Sequence, residues 1–285
     1  MTAALPREVG VLGGGTMGAG IAHAFLVSGC PVHVVERDDE QCEAASARVL
    51  RAVRASVERG TTHESVEALS ERLSVGTTDE VFAECGLVIE AVPEEFELKV
   101  DSLARIARSA PAAVIASNTS SISIDDLAAT LPDPERFLGL HFFNPVPASK
   151  LIEVVRGAAT ADETLHAAQG WVAAIGKTAV TVADAPGFAS SRLGVALGLE
   201  AIRMLEEGVA SAEDIDRAME LGYRHPVGPL RLTDIVGLDV RLGIAEYLHA
   251  RLGARFEPPQ LLRDKVAAGE LGRKTGRGFF RWDAP

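Results

Sequence analysis

Val9-Gly10-Val11-Leu12-Gly13-Gly14-Gly15-Thr16-Met17-Gly18 is the stretch that decides the fold. A short apolar run passes straight into GxGxxG, so the glycines stand at a strand-to-helix junction, where a dinucleotide-binding unit needs them. There Gly13 permits a tight turn, Gly15 lets backbone N–H groups approach a pyrophosphate with no Cβ in the way, and Gly18 lets the helix pack closely on the sheet. The helix that opens at Met17 turns its unpaired N–H groups and positive dipole end toward the phosphates. By itself GxGxxG also fits an ordinary flexible turn; its position is what gives it weight.

Working outward, the next apolar run, Pro31-Val32-His33-Val34-Val35, ends in Glu36, 18 residues after Gly18. That is close to the spacing expected for the acid that grips a ribose 2′-hydroxyl, and a carboxylate there repels a 2′-phosphate, which favours NAD. Arg37 follows directly and leaves NADP open. Further along, short Val/Ile/Leu runs alternate with stretches of helical period, the pattern of βα units on a parallel sheet. Strands are expected over 9–12, 32–36, 87–91, 113–116 and 137–140, and helices over 17–28, 40–59, 64–73, 96–109 and 124–130. After the turn-rich Asp184-Ala185-Pro186-Gly187 the strand-like runs largely vanish. Helical segments over 193–207, 212–221 and 238–252 follow, separated by breakers at Gly208, at His225-Pro226-Val227-Gly228-Pro229 and at Pro258-Pro259. The expectation is an α/β Rossmann-type dinucleotide-binding domain over 1–184 and a smaller all-α domain over 185–285.

Composition narrows the function classes. The chain has 285 residues with 28 Lys+Arg against 40 Asp+Glu, a net charge of −12, which repels nucleic acid. Apolar residues at 47% and charged residues at 24% are those of a folded globular chain rather than a disordered one. The three cysteines, Cys30, Cys42 and Cys85, form no CxxC pair, so neither a disulfide framework nor a metal site is expected. No leader-like start and no long apolar run occurs, and the expectation is a cytoplasmic protein without membrane contact.

Two segments are too polar for their surroundings. Ser117-Asn118-Thr119-Ser120-Ser121 leaves the carboxyl end of an expected strand, where open α/β sheets place their ligand crevice; the same residues also suit a turn and helix cap. In Gly139-Leu140-His141-Phe142-Phe143-Asn144-Pro145 a histidine ends an apolar run. Glu153 stands 12 residues later in another apolar run, Leu151-Ile152-Glu153-Val154-Val155, and needs a partner there. If the segment over 144–147 turns the chain back, the carboxylate reaches the imidazole, fixes its tautomer and leaves the other nitrogen to move a proton from an alcohol. Joined to a nicotinamide-binding unit, that is the equipment of a dehydrogenase.

These residues resemble the L-3-hydroxyacyl-CoA dehydrogenases, which include the bacterial 3-hydroxybutyryl-CoA dehydrogenases. The resemblance runs through GxGxMGxGIA (13–22), IEAVPE (89–94), ASNTSS (116–121), GLHFFNPVP (139–147), LIEVV (151–155), DAPGF (184–188), GPLRLTDIVGLD (228–239) and GRKTGRGFF (272–280). It implies His141 as general acid/base with Glu153 as its partner, and Ser120 on the substrate oxygen with Asn144 nearby. It also implies Gly13, Gly15, Thr16, Met17, Gly18, Glu36, Glu94, Lys99, Ser117 and Asn118 around an NAD cofactor, an acyl-CoA substrate, and a homodimer formed through the helical domain. One position departs: the family has an asparagine that helps to orient the substrate where this chain has Ser191, a shorter side chain with one donor hydrogen. For the CoA phosphates, Arg48, Arg51, Arg54 and Arg59 recur along one expected helix, with Arg54 and Arg59 taken as the binding pair; the alternative is a solvated helix face. Two other functional readings stay open: a dehydrogenase of a free hydroxy or sugar acid, as in relatives resembling L-gulonate dehydrogenase, and a non-catalytic NAD-binding relative.

Overall fold

The computed structural model describes residues 4–283. The chain folds as two compact units, Met1–Asp184 and Ala185–Pro285. The first unit contains, in chain order, β1 (Val9–Leu12), α1 (Thr16–Leu26), β2 (Val32–Val35), α2 (Asp39–Glu58), α3 (Val66–Glu71), β3 (Leu73–Gly76), β4 (Leu87–Glu90), α4 (Phe96–Ser109), β5 (Val114–Ser117), α5 (Ile124–Ala128), β6 (Phe137–Phe142), β7 (Leu151–Arg156), α6 (Asp162–Ala174) and β8 (Thr178–Ala183). The strands form one sheet in the order β3-β2-β1-β4-β5-β6-β7-β8. Every neighbouring pair is parallel except β6 with β7. Strand order reverses beside β1, which puts a ligand crevice at the carboxyl ends of β1 and β4.

The central strands are Val/Ile/Leu-rich because helices cover both their faces: every residue of β1, β4 and β6 is buried. Hydroxyl and carboxylate caps fix several helix starts. The Asp38 side chain accepts from the Gln41 amide, Ser65 from Ala68 and Ser123 from Asp126. The Ser65 cap corrects one expectation. It starts α3 at Val66, and the helix expected over 64–73 ends at Glu71, so Leu73 instead opens β3, which pairs with β2. The expected parallel sheet also gains an antiparallel step, because the chain doubles back after Phe142, and β8 then adds an edge strand that is largely exposed and carries a weak apolar signal.

The second unit is helical: α7 (Ser190–Glu206), α8 (Ala212–Tyr223), α9 (Pro229–Val236), α10 (Leu238–Leu252) and α11 (Gln260–Ala267). Val195, Leu199, Leu230, Leu238, Ala245, Leu248 and Leu262 form its core. Pro229, read as a breaker, occupies the first turn of α9, where its missing N–H costs nothing. Buried Asp234 accepts from the amides of Phe279 and Phe280 and from the Trp282 indole, and so ties the C-terminal segment to α9. No helix among the described residues is long and apolar enough to cross a membrane.

Candidate active site

At the glycine loop, each glycine does a separate task. Gly13 has φ +96°, and a Cβ there would meet the Ala91 carbonyl oxygen at 2.9 Å. A Cβ on Gly18 would lie 1.8 Å from the Gly13 carbonyl oxygen, so only glycine lets α1 rest on its own loop. Gly15 has nothing within 4 Å of its Cβ position, so its backbone borders open space. No side chain caps the first turn of α1. A bare, uncapped N-terminus beside an open cradle fits a pyrophosphate. Glu36, just past β2, accepts from the Gly14 amide at 2.7 Å and brings its carboxylate to this loop. Arg37 turns instead to Asp38, with Nε 3.0 Å from Oδ2. These residues fit an NAD molecule: the Gly15 cradle with Thr16, Met17 and Gly18 for the phosphates, and Glu36 for a ribose.

The carboxyl ends of β4, β5 and β6 carry a connected polar network. Buried Glu90, at the end of β4, takes Lys99 Nζ at 2.8 Å on one oxygen and Ser117 Oγ at 2.6 Å on the other. Lys99 also donates to the Val92 carbonyl and pairs with Glu94 at 3.3 Å. Glu94 Oε1 in turn receives Thr119 Oγ1 at 2.6 Å and the amides of Ser120 at 2.9 Å and Ser121 at 3.1 Å. Burial raises the Glu94 pKa, but the Lys99 charge and these hydrogen bonds outweigh it and hold the carboxyl below its usual value. Ser120 Oγ also donates to Glu94, at 3.3 Å, so the loop presents this hydroxyl in a fixed orientation. Lys99 and Ser117, expected around the cofactor, both belong to this network. Both are 1% exposed or less, with their polar atoms turned to Glu90, and they brace the site from behind. Glu90 and Thr119 are the members the sequence reading missed; an acid ending an apolar strand was the available signal for Glu90.

The remaining pair sits across the antiparallel step. β6 runs two residues further than expected, which places His141 inside the strand, and the β6–β7 register sets His141 opposite Glu153. His141 Nδ1 lies 2.9 Å from Glu153 Oε2, with both side chains buried. The Phe143 ring packs on the imidazole at 4.3 Å between centroids. The turn that makes this possible is tied down by Lys177, whose Nζ donates to the Val146 and Ser149 carbonyls at 2.7 and 2.6 Å. Asn118 Oδ1 accepts from the Phe142 amide at 2.9 Å and fastens the β5 loop to the strand that carries the histidine.

Among the arginines, the faces sort differently from the sequence reading. Arg48 and Arg51 line a cleft of ≈ 320 Å³ with Thr16, Gly20 and Asn144. Arg54 lines a separate cleft of ≈ 690 Å³ with Cys42, Arg51 and Ser70. Arg59 is the C-cap of α2 and lines neither of these clefts. At 100° per residue Arg54 is turned about 120° away from Arg48, and Arg59 lies about 16 Å further along the axis. In the second unit, half-buried Ser191 stands in the first turn of α7.

With this geometry in hand, known proteins give a consistent answer. The model of the 3-hydroxyacyl-CoA dehydrogenase NAD binding domain matches residues 8–185, and that of the 3-hydroxyacyl-CoA dehydrogenase C-terminal domain matches residues 187–282. The chain belongs to the 3-hydroxyacyl-CoA dehydrogenase family. It is 41% identical over 280 residues to a probable 3-hydroxybutyryl-CoA dehydrogenase of Bacillus subtilis, covering 97% of this chain and 98% of that protein. It is 41% identical over 284 residues to the 3-hydroxybutyryl-CoA dehydrogenase of Bradyrhizobium diazoefficiens, covering 98% and 96%. The crystal structure of (S)-3-hydroxybutyryl-CoA dehydrogenase from Ralstonia eutropha superimposes with a TM-score of 0.93 at 40% identity, covering 98% of this chain and 99% of that one.

Proposed function

We propose that this protein is an NAD-dependent L-3-hydroxyacyl-CoA dehydrogenase of short-chain type, interconverting L-3-hydroxyacyl-CoA and 3-oxoacyl-CoA. The observation that carries the reading is the buried His141–Glu153 pair at 2.9 Å. Glu153 accepts the Nδ1 proton, which makes Nε2 the nitrogen that exchanges a proton with the 3-hydroxyl, and its charge stabilises the imidazolium that forms. Ser120, held by its amide on Glu94, binds the substrate oxygen, its one hydroxyl hydrogen passing from Glu94 to that oxygen. Ser191, in the position of the family's asparagine, helps to orient the acyl group. The Gly13–Gly18 loop and Glu36 would hold NAD, whose nicotinamide would supply the hydride chemistry at C3. Arg48 and Arg51 replace Arg54 and Arg59 as the residues for the CoA phosphates, because they share a cleft with Thr16 and Asn144.

The reading extends to a homodimer formed through the helical unit, where Leu193, Leu221 and Tyr223 are 70%, 81% and 75% exposed. It also extends to a reducing, cytoplasmic setting, which the free cysteines favour. The direct test is NADH consumption with acetoacetyl-CoA, repeated with NADPH and with a free 3-oxo acid. Turnover with NADH and the thioester is the expected result. No turnover with any short, medium or aryl 3-oxoacyl-CoA would reject the reading, and preference for the free acid would move the protein to the second class of dehydrogenase.

A further inference from the structure

At the amino ends of β1, β2 and β4, the end of the sheet opposite the coenzyme crevice, three side chains converge that the dehydrogenase reaction does not use. Glu8 directly precedes β1, His33 is the second residue of β2, and Cys85 lies two residues before β4. The strand ladder brings these distant segments side by side. The Gly86 amide donates to the Glu8 carbonyl at 3.0 Å, the Val9 amide to the Pro31 carbonyl at 3.0 Å, and His33 stands in register between Gly10 and Ser74. His33 Nε2 lies 2.8 Å from Glu8 Oε2, and its Nδ1 lies 2.6 Å from Ser74 Oγ. A half-buried histidine–carboxylate pair is ordinary in itself. The buried Cys85 thiol makes a third corner: one donor atom each from Glu8, His33 and Cys85 all lie within 4.8 Å of one another. Among the described residues the thiol makes only a long hydrogen bond, 3.8 Å from Sγ to the Val81 carbonyl. Arg7, next to Glu8 in the chain, turns to Glu84 at 2.9 Å, and among the described residues no lysine or arginine pairs with Glu8.

We propose that Glu8, His33 and Cys85 form a binding site for one zinc-class divalent cation, with water as the fourth ligand. One nitrogen, one sulfur and one oxygen suit a borderline-soft ion such as zinc or cobalt, whereas magnesium and calcium take oxygens. Ser74 supplies the outer hydrogen bond that metal-bound histidines have. Its Oγ accepts the Nδ1 proton of the neutral ring and leaves the Nε2 lone pair for the ion. The Cys85 thiol proton leaves to solvent as the metal–sulfur bond forms, and nothing is oxidised. A tetrahedral ion at about 2.0–2.3 Å from each donor sets them about 3.3–3.8 Å apart, so the three corners close on it by side-chain rotations of about 1 Å. The four residues of β1, about 13 Å of strand, separate the ion from the glycine loop. It therefore clamps the amino ends of three strands and takes no part in hydride transfer.

The test uses the untagged, reduced full-length protein with cobalt(II) chloride as the probe, followed by zinc. Cobalt is expected to bind at one ion per chain by dialysis and metal analysis. Its spectrum should show the intense visible bands of a tetrahedral ion and a near-ultraviolet thiolate-to-cobalt charge-transfer band. Zinc should displace it and, at about 100 times its Kd, raise the melting temperature by about 5 °C or more. Cys85→Ser is expected to abolish the charge-transfer band. Because Cys85 is buried, His33→Gln and Glu8→Gln, at half-buried positions, serve as second probes, and each should weaken binding at least about tenfold. Thermal unfolding without metal checks that each variant folds. Cys42→Ser, whose thiol lines the cleft beside Arg54, should leave spectrum and affinity unchanged. No uptake of either ion at about 100 μM overturns the proposal. So does an octahedral spectrum without the charge-transfer band, a band that survives Cys85→Ser or is lost in Cys42→Ser, or an affinity that His33→Gln and Glu8→Gln leave intact. None of these readouts needs turnover, so the metal site and the proposed activity fail separately.

Discussion

His141 and Glu153 are cross-strand neighbours, paired in register between β6 and β7 with Nδ1 and Oε2 2.9 Å apart. Two residues that are 12 apart in sequence thus meet at a fixed ladder position rather than through a loop. Such a pair is rigid because sliding the strand by one residue would turn every side chain to the other face of the sheet.

The first prediction concerns that pair. Glu153→Gln keeps an acceptor for the Nδ1 proton and removes the charge that stabilises the imidazolium. It is expected to lower kcat by about 100-fold or more with little change in thermal stability. Steady-state NADH oxidation checks it; a kcat within about twofold of wild type would remove Glu153 from the mechanism.

Glycine substitutions in the loop should separate binding from folding. Gly15→Ala places its Cβ in open space, and φ −61° suits any residue, so the protein should fold normally and bind NADH about tenfold or more weakly. Gly18→Ala drives a Cβ to 1.8 Å from the Gly13 carbonyl and should lower the melting temperature as well. Fluorescence titration with NADH and a thermal melt of each variant decide the matter.

Behind the Ser120 loop, the Lys99–Glu90 pair is almost wholly enclosed. Lys99→Met leaves a buried carboxylate without its cation and should cost about 3–5 kcal/mol. The double variant Lys99→Met/Glu90→Gln should recover part of that loss, because it removes both charges together. Urea unfolding of the wild type, Lys99→Met, Glu90→Gln and the double variant measures the coupling, and simple additivity would show that the two side chains act independently.

His23 predicts the pH dependence of stability. Burial, helped by the charges of Lys177 and Arg59, lowers its pKa from 6.5 to about 4, while Nε2 contacts Ser56 Oγ at 2.8 Å. Between those two values the unfolded chain binds the proton and the folded chain does not. Stability is therefore full above pH 6.5 and falls as the pH drops toward 4, by about 3 kcal/mol from this group. Urea midpoints across that range should fall less steeply in His23→Gln; identical slopes in the two proteins would show that His23 carries none of the effect.

Much of this protein is written locally. The strand-to-helix glycines, the alternation of apolar runs with helical periods and the loss of that alternation after Asp184 all depend on neighbours a few residues away. Periodicity and turn chemistry therefore determine them. What locality could not supply is which distant residues meet. The β6–β7 register turned a histidine and a glutamate into a pair, and the winding of α2 gave one cleft to Arg48 and Arg51 while turning Arg54 away. Packing alone drew Lys99 and Ser117 inward onto Glu90. Long-range contacts of this kind are set by register and by the competition among buried charges for partners, and neither exists until the chain has closed on itself.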